Sequence, residues 1–192
     1  SMAYINKWTA IGSPADITLD EVNAYVGKHS PAIKLSPLSP TGIAQSHIGL
    51  KGGKAYTGRI VVSADDNTEI SISLIEGKSK QTVKVKASKD WSTVPFKFTA
   101  KTDTSEARFE ITTMGSGSFR VGAVSLMPAD NINGFRADTI ALMKEMDCKM
   151  LRMPGGNFIS AYDWKDTIGD PDKRPPIFDP VWKALQPNDA GL

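Results

Sequence analysis

From about residue 31 to residue 127, apolar and polar side chains alternate with a period of two, interrupted by short turn-forming clusters. In TEISISLIEG (68–77), Ile70, Ile72 and Leu74 alternate with Ser71 and Ser73, the pattern of a strand with one dry and one wet face. KQTVKVKAS (80–88) repeats it, with Val83 and Val85 against Lys84 and Lys86. The alternation predicts strands at Ala32–Leu35, Ile43–Leu50, Ala55–Ser63, Glu69–Glu76, Thr82–Ala87, Thr93–Thr99, Ala107–Met114 and Ser118–Met127. Asp65-Asp66-Asn67, Glu76-Gly77-Lys78 and Met114-Gly115-Ser116-Gly117 supply turns. Short strands at this spacing predict a mainly β chain, folded as an antiparallel β-sandwich of jelly-roll type.

After SLMPADNINGF (125–135) the period changes. Phe135, Thr139, Leu142, Met143 and Met146 fall on one face of a helix of about 13 residues, with Asn133 as its expected N-cap. CKMLRMP (148–154) then reads as a short buried strand over Lys149–Met153, followed by a glycine pair. Helix, strand and glycine loop make an α/β unit foreign to a sandwich. The expected division is therefore residues 1–128 as the sandwich and 129–192 as the start of something else. The proline-rich stretch from TIGDPDKRPPIFDP (167–180) onward predicts a long loop, with at most a short helix near Val181–Leu185.

Charge excludes more than it suggests. The net charge is +2 over 192 residues, with 15 Lys/Arg against 11 Asp/Glu in 1–128 and 8 against 10 in 129–192. That is no polycationic face, so nucleic acid is not an expected partner. No apolar run reaches the length of a membrane span, so no membrane partner is expected either. Cys148 is the single cysteine, and with only two histidines no zinc site or other cofactor is expected. Ser1-Met2-Ala3 places a serine before a methionine, so the natural N-terminus and any targeting signal are expected to lie outside this chain.

Candidate chemistry concentrates in LRMPGGNFISAYDWKDTIGDPDKRP, residues 151–175. Phosphate binding is disfavoured, because neither GxxxxGK[ST] nor GxGxxG occurs and Pro154 removes a backbone donor before Gly155 and Gly156. Two readings of the residues remain open. The glycines can serve a tight turn, with Phe158 and Tyr162 as core. Alternatively, this is a ligand loop at a strand end, where an amide side chain such as Asn157 donates to and accepts from sugar hydroxyls.

The same residues resemble family 51 glycoside hydrolases, the α-L-arabinofuranosidases. Arg152, Pro154, Gly155, Gly156, Asn157 and Phe158 occur in that family's order, followed by Tyr162, Trp164, Lys165, Asp166, Ile168, Gly169, Arg174 and Pro175. Gly134, Phe135, Arg136 and Asp138 resemble the family's opening of the helix after a sandwich. GLKGGKAYTGRIVVSA (49–64) and DWSTVPFKFTA (90–100) resemble the family's inserted carbohydrate-binding-like sandwich, although Gly122-Ala123 stand where such modules commonly carry an acidic residue.

The resemblance implies a retaining hydrolase on a (β/α)8 barrel that removes terminal arabinofuranose from arabinan or arabinoxylan, and favours a secreted or periplasmic location. It implies that Asn157, Trp164 and Tyr162 bind substrate, that Arg152 orients the nucleophile, and that Gly155 and Gly156 shape the loop. Tyr56 and Trp91 are candidate sugar platforms in the sandwich, with packing as the alternative role.

Retaining chemistry needs two carboxylates about 5 Å apart. The glutamates are Glu21, Glu69, Glu76, Glu106, Glu110 and Glu145; the first five fall in the sandwich and the last in the helix. The spacing of Asp163, Asp166, Asp170 and Asp172 singles out no acid/nucleophile pair, and aspartates gathered in a loop are expected as turn formers and solvated charges. A complete barrel takes about 250 residues, and only residues 129–192 follow Pro128. The expectation is a (β/α)8 domain represented by its N-terminal portion and inactive alone, whose exposed barrel segment at Lys149–Met153 either folds onto the sandwich or pairs with a second copy of the chain.

Overall fold

The computed structural model describes residues 8–150, 156, 162–181, 183–186 and 188. Its main body is built from β1 (Thr9–Ile11), β2 (Ile17–Asp20), β3 (Ser30–Lys34), β4 (Thr41–Leu50), β5 (Ala55–Ala64), β6 (Thr68–Glu76), β7 (Ser79–Ala87), β8 (Ser92–Thr99), β9 (Thr104–Thr113) and β10 (Ser118–Pro128). They form two antiparallel five-stranded sheets, ordered β1-β4-β9-β6-β7 and β2-β3-β10-β5-β8. Only β2–β3 and β6–β7 are successive strands paired within one sheet; the other connections cross between sheets, which gives the jelly-roll sandwich. All eight strands expected in the sandwich are present, with ends shifted by a few residues, while the strand expected over Lys149–Met153 lies largely outside the described residues.

Alternation decides which side chains enter. β6 buries Ile70, Ile72 and Leu74 fully, opposite Val85 of β7 and Ile111 of β9. Ile33, Ile60, Val62, Phe119 and Val121 enter from the other sheet. Phe96, Phe98 and Phe109 interlock at the centre, with ring centroids 5.6–6.5 Å apart. Gly58 makes room for them, since a Cβ there would lie 2.4 Å from the Phe96 ring. β1 and β2 were not expected. Each is three or four residues long on a sheet edge, too short to display a period.

Beyond Pro128 the chain changes its means of support. Asn131 accepts from Gly134 N at 2.9 Å and donates to Pro128 O at 2.7 Å, and Asn133 adopts a positive φ of 48°. Asn133 is thus a turn residue and not the N-cap. That position falls to Arg136, and α1 spans Ala137–Glu145 with none of its residues buried. The expected apolar face is real in sequence but uncovered among the described residues, with Leu142 59% and Met146 75% exposed. Arg136 hydrogen-bonds Asp138 in the first helical turn and holds its carboxyl down at about 2. The expected short helix at Val181–Leu185 is replaced by a hairpin of β11 (Ile177–Asp179) and β12 (Ala184–Gln186). Asp179 accepts from Val181 N at 2.9 Å and Lys183 takes a φ of 49°, which turns the chain before a helix can start.

Candidate functional site

Residues 162–188 build their shape from side chains bonded to backbone. Asp163 caps a 3-10 turn, Trp164–Thr167, by accepting from Lys165 N at 3.0 Å. Thr167 is completely buried and donates to Trp164 O at 2.7 Å. Its single proton is thereby committed, so the Tyr162 hydroxyl, 3.0 Å away, donates to Thr167 Oγ1. Arg174 folds back, its Nη2 donating to Gly169 O at 2.8 Å, and buried Asn188 donates to Asp166 O at 2.7 Å. Trp164 is left 53% exposed on this braced loop. A second 3-10 turn, Pro171–Lys173, starts with proline and is capped by Asp170, which accepts from Asp172 N at 3.0 Å.

That second turn lies on the outer face of the β2-β3-β10-β5-β8 sheet. Arg59 of β5 grips Asp172 with both ends of its fork, Nε to Oδ2 at 2.5 Å and Nη2 to Oδ1 at 2.7 Å. Beside it, Lys173 Nζ stands 3.6 Å above the centre of the Tyr25 ring. Tyr25 in turn packs on Trp91, with centroids 5.2 Å apart. It also lies against Gly122, where a Cβ would come within 2.6 Å of the ring. Gly122 is skipped where the β10–β5 register shifts between Val121 and Ala123. The departure noted at Gly122-Ala123 is therefore a bulge that seats an aromatic ring. Below it, Arg120 joins Asp20 at 2.5 Å and Asp65 at 2.8 Å.

Of the residues singled out in the sequence, Tyr162 is tied through Thr167 to the turn that carries Trp164, and Gly156 has a φ of 64°. Arg152, Gly155 and Asn157 lie outside the described residues. Tyr56 is buried and its hydroxyl accepts from Lys51 N at 2.9 Å, so it packs, as does Trp91.

Several of the carboxylates are occupied structurally. Glu76 is buried and accepts from Lys101 N at 2.8 Å and Thr102 N at 3.2 Å. Glu69 meets Lys84, Glu106 meets His47 and Glu110 meets Arg108. Asp163, Asp170 and Asp179 cap turns. Among the described residues no three His, Cys, Asp or Glu side chains gather to hold a metal ion, and no helix is long and apolar enough to cross a membrane. The docking set Tyr25, Arg59, Asp172 and Lys173 escaped sequence reasoning. Arg59 and Asp172 alone lie 113 residues apart, and no spacing links the set.

Comparison with known proteins places these features. Residues 142–192 match the alpha-L-arabinofuranosidase 1 domain. An intracellular exo-alpha-(1->5)-L-arabinofuranosidase of Acetivibrio thermocellus is 45% identical over 60 residues, covering 31% of this chain and 12% of that protein. Alpha-L-arabinofuranosidase 1 of Arabidopsis thaliana is 30% identical over 151 residues, covering 71% of this chain and 22% of its own length. The chain thus spans less than a quarter of the length of these relatives. A CBM4 structure superposes with a TM-score of 0.50 at 18% identity, over 64% of this chain and 87% of its own. The CBM22-1 xylan-binding domain of Paenibacillus barcinonensis Xyn10C does so with a TM-score of 0.50 at 12% identity, over 65% and 87%. At such identities the likeness is one of fold.

Proposed function

The chain carries part of an arabinofuranosidase-family protein, and from that premise we propose that residues 129–192 form one wall of an arabinofuranose subsite while residues 1–128 brace it. In this reading Asn157 hydrogen-bonds the sugar, Trp164 and Tyr162 line it, and Gly155 and Gly156 let the backbone approach. Arg152 keeps the nucleophilic carboxylate of the complete barrel ionised and aimed. The parent activity is retaining hydrolysis of terminal arabinofuranose from arabinan or arabinoxylan.

The observation that carries the reading is Trp164, exposed yet held on a loop fixed by buried Thr167 and Asn188. An indole kept in solvent by a dedicated hydrogen-bond frame suits stacking on a sugar face. No carboxylate pair is assigned to this chain, because Glu69, Glu76, Glu106 and Glu110 already hold backbone amides or ion pairs, and in this reading the 192 residues are inactive alone. The exposed side chains Leu142, Met146, Phe178 and Leu185 support self-association of the isolated chain, expected as a concentration-dependent sedimentation coefficient.

A titration with arabino-oligosaccharide, followed by NMR, tests the subsite. Shifts centred on the Trp164 indole N–H are expected. Shifts centred on the sandwich instead would favour the alternative, a carbohydrate-binding module acting independently. Bracing is preferred because Tyr25 and Trp91 are already engaged by Lys173 and by each other.

A further inference from the structure

We propose that Arg59 and Tyr25 are positioning residues: the outer face of the β2-β3-β10-β5-β8 sheet is a docking surface for the 170–176 turn, and by holding that turn it sets where Trp164 stands. The role assigned to Trp164 rests on the sugar-subsite reading above; the docking itself does not.

Complementarity is specific in order as well as in sign. Two adjacent residues of opposite charge, Asp172 and Lys173, meet two receivers of opposite preference, a guanidinium and a π face. Shifting the turn by one residue would set Lys173 on Arg59 in one direction, or Asp172 over the electron-rich ring in the other. The register is thereby fixed.

Both sides are preorganised. Proline and the Asp170 cap shape the turn before it docks, and the Asp172 side chain is only 13% exposed once docked. Tyr25 is wedged between Trp91 and the Cβ-less Gly122, while its backbone N–H donates to buried Ser30 at 2.9 Å. Pro176 closes the contact, its Cδ being 3.7 Å from where a Cβ of Gly27 would lie.

From the docked turn a short chain of bonds leads to Trp164. Lys173 N donates to Asp170 O at 2.9 Å, and Arg174 donates to Gly169 O at 2.8 Å. Thr167 then ties Trp164 O to the Tyr162 hydroxyl. A ring pair that would otherwise offer a sugar platform thus serves the chain's own lysine.

Hydrogen exchange of the 192-residue chain without sugar tests this, comparing the wild type with Arg59→Ala, Lys173→Ala and the exchanged pair Arg59→Asp/Asp172→Arg. Loss of a charge-assisted pair is expected to speed exchange across 164–174 about tenfold or more in Arg59→Ala, with strands β6 and β9 unchanged. Lys173→Ala should give a smaller acceleration in the same segment, and the exchanged pair should recover protection that Arg59→Ala loses. Unchanged exchange across 164–174 in both single variants would overturn the proposal, and so would an exchanged pair no better protected than Arg59→Ala. Should Arg59→Ala disturb the sandwich itself, Lys173→Ala decides, because its ammonium touches only the ring face. If exchange behaves as expected but arabino-oligosaccharide leaves the Trp164 indole unmoved, the docking stands and only the sugar reading falls.

Discussion

The sandwich and the segment at 162–188 are both ordered, but by opposite means. In the sandwich, burial is apolar: Ile70, Ile72, Leu74, Ile111 and Phe119 are wholly enclosed, and strand pairing satisfies the backbone. Among the described residues of the later segment the buried side chains are polar, namely Thr167, Asp179 and Asn188, and each bonds backbone. The first region draws on the hydrophobic effect and should unfold as one unit. Among its described residues the second shows no apolar core, and it depends on hydrogen bonds and on the platform beneath it. A region with a core can carry a region without one, which is the use we assign to the sandwich.

The largest effect should follow from Phe109→Ala, which removes a ring in contact with Phe96, Phe98 and Trp8. It should cost roughly 4 kcal/mol, read from urea unfolding of the whole chain. Next comes Gly122→Ala, whose methyl would meet the Tyr25 ring. It should cost about 1–3 kcal/mol, accompanied by faster exchange across 164–174. Thr167→Val keeps the shape but removes the hydroxyl that accepts from Tyr162 and donates to Trp164 O. About 1–2 kcal/mol should be lost locally, with the urea midpoint of the sandwich unmoved; an equal shift in both regions would erase the contrast between them.

The acid response separates the regions by pH. The hydrogen bond from Arg120 holds the Asp20 carboxyl below its usual 3.8, helped by the amide of Asn23. The folded chain therefore binds this proton less tightly than the unfolded chain. The stabilisation is complete above about pH 4 and is lost as the pH falls through the lowered value. Arg120→Ala should flatten that part of the stability–pH curve. The smallest effect belongs to Lys84→Ala, on the exposed Lys84–Glu69 pair of the opposite sheet face. It should stay within about 0.5 kcal/mol.

What could be read in the sequence follows the same division. Alternation betrays β3 to β10 because each has one buried face long enough to show two or more repeats. Edge strands β1 and β2 lack that length. Helical spacing located α1 but misplaced its cap, since Asn133 was engaged in a left-handed turn that spacing does not encode. Around the candidate site, Tyr162 and Trp164 were legible because they sit in a compact family-like motif. Arg59 and Asp172 were not, as two opposite charges distant in sequence look like any other surface charges. The Gly122 departure was visible, but its reason, the ring of Tyr25, appears only in three dimensions.

The account holds that this chain frames a sugar subsite without supplying the reacting carboxylates. Incubation of the purified 192-residue protein with a chromogenic α-L-arabinofuranoside tests that directly. No chromophore release above the buffer rate is expected. Release that scales with protein concentration and disappears in Trp164→Ala would contradict it.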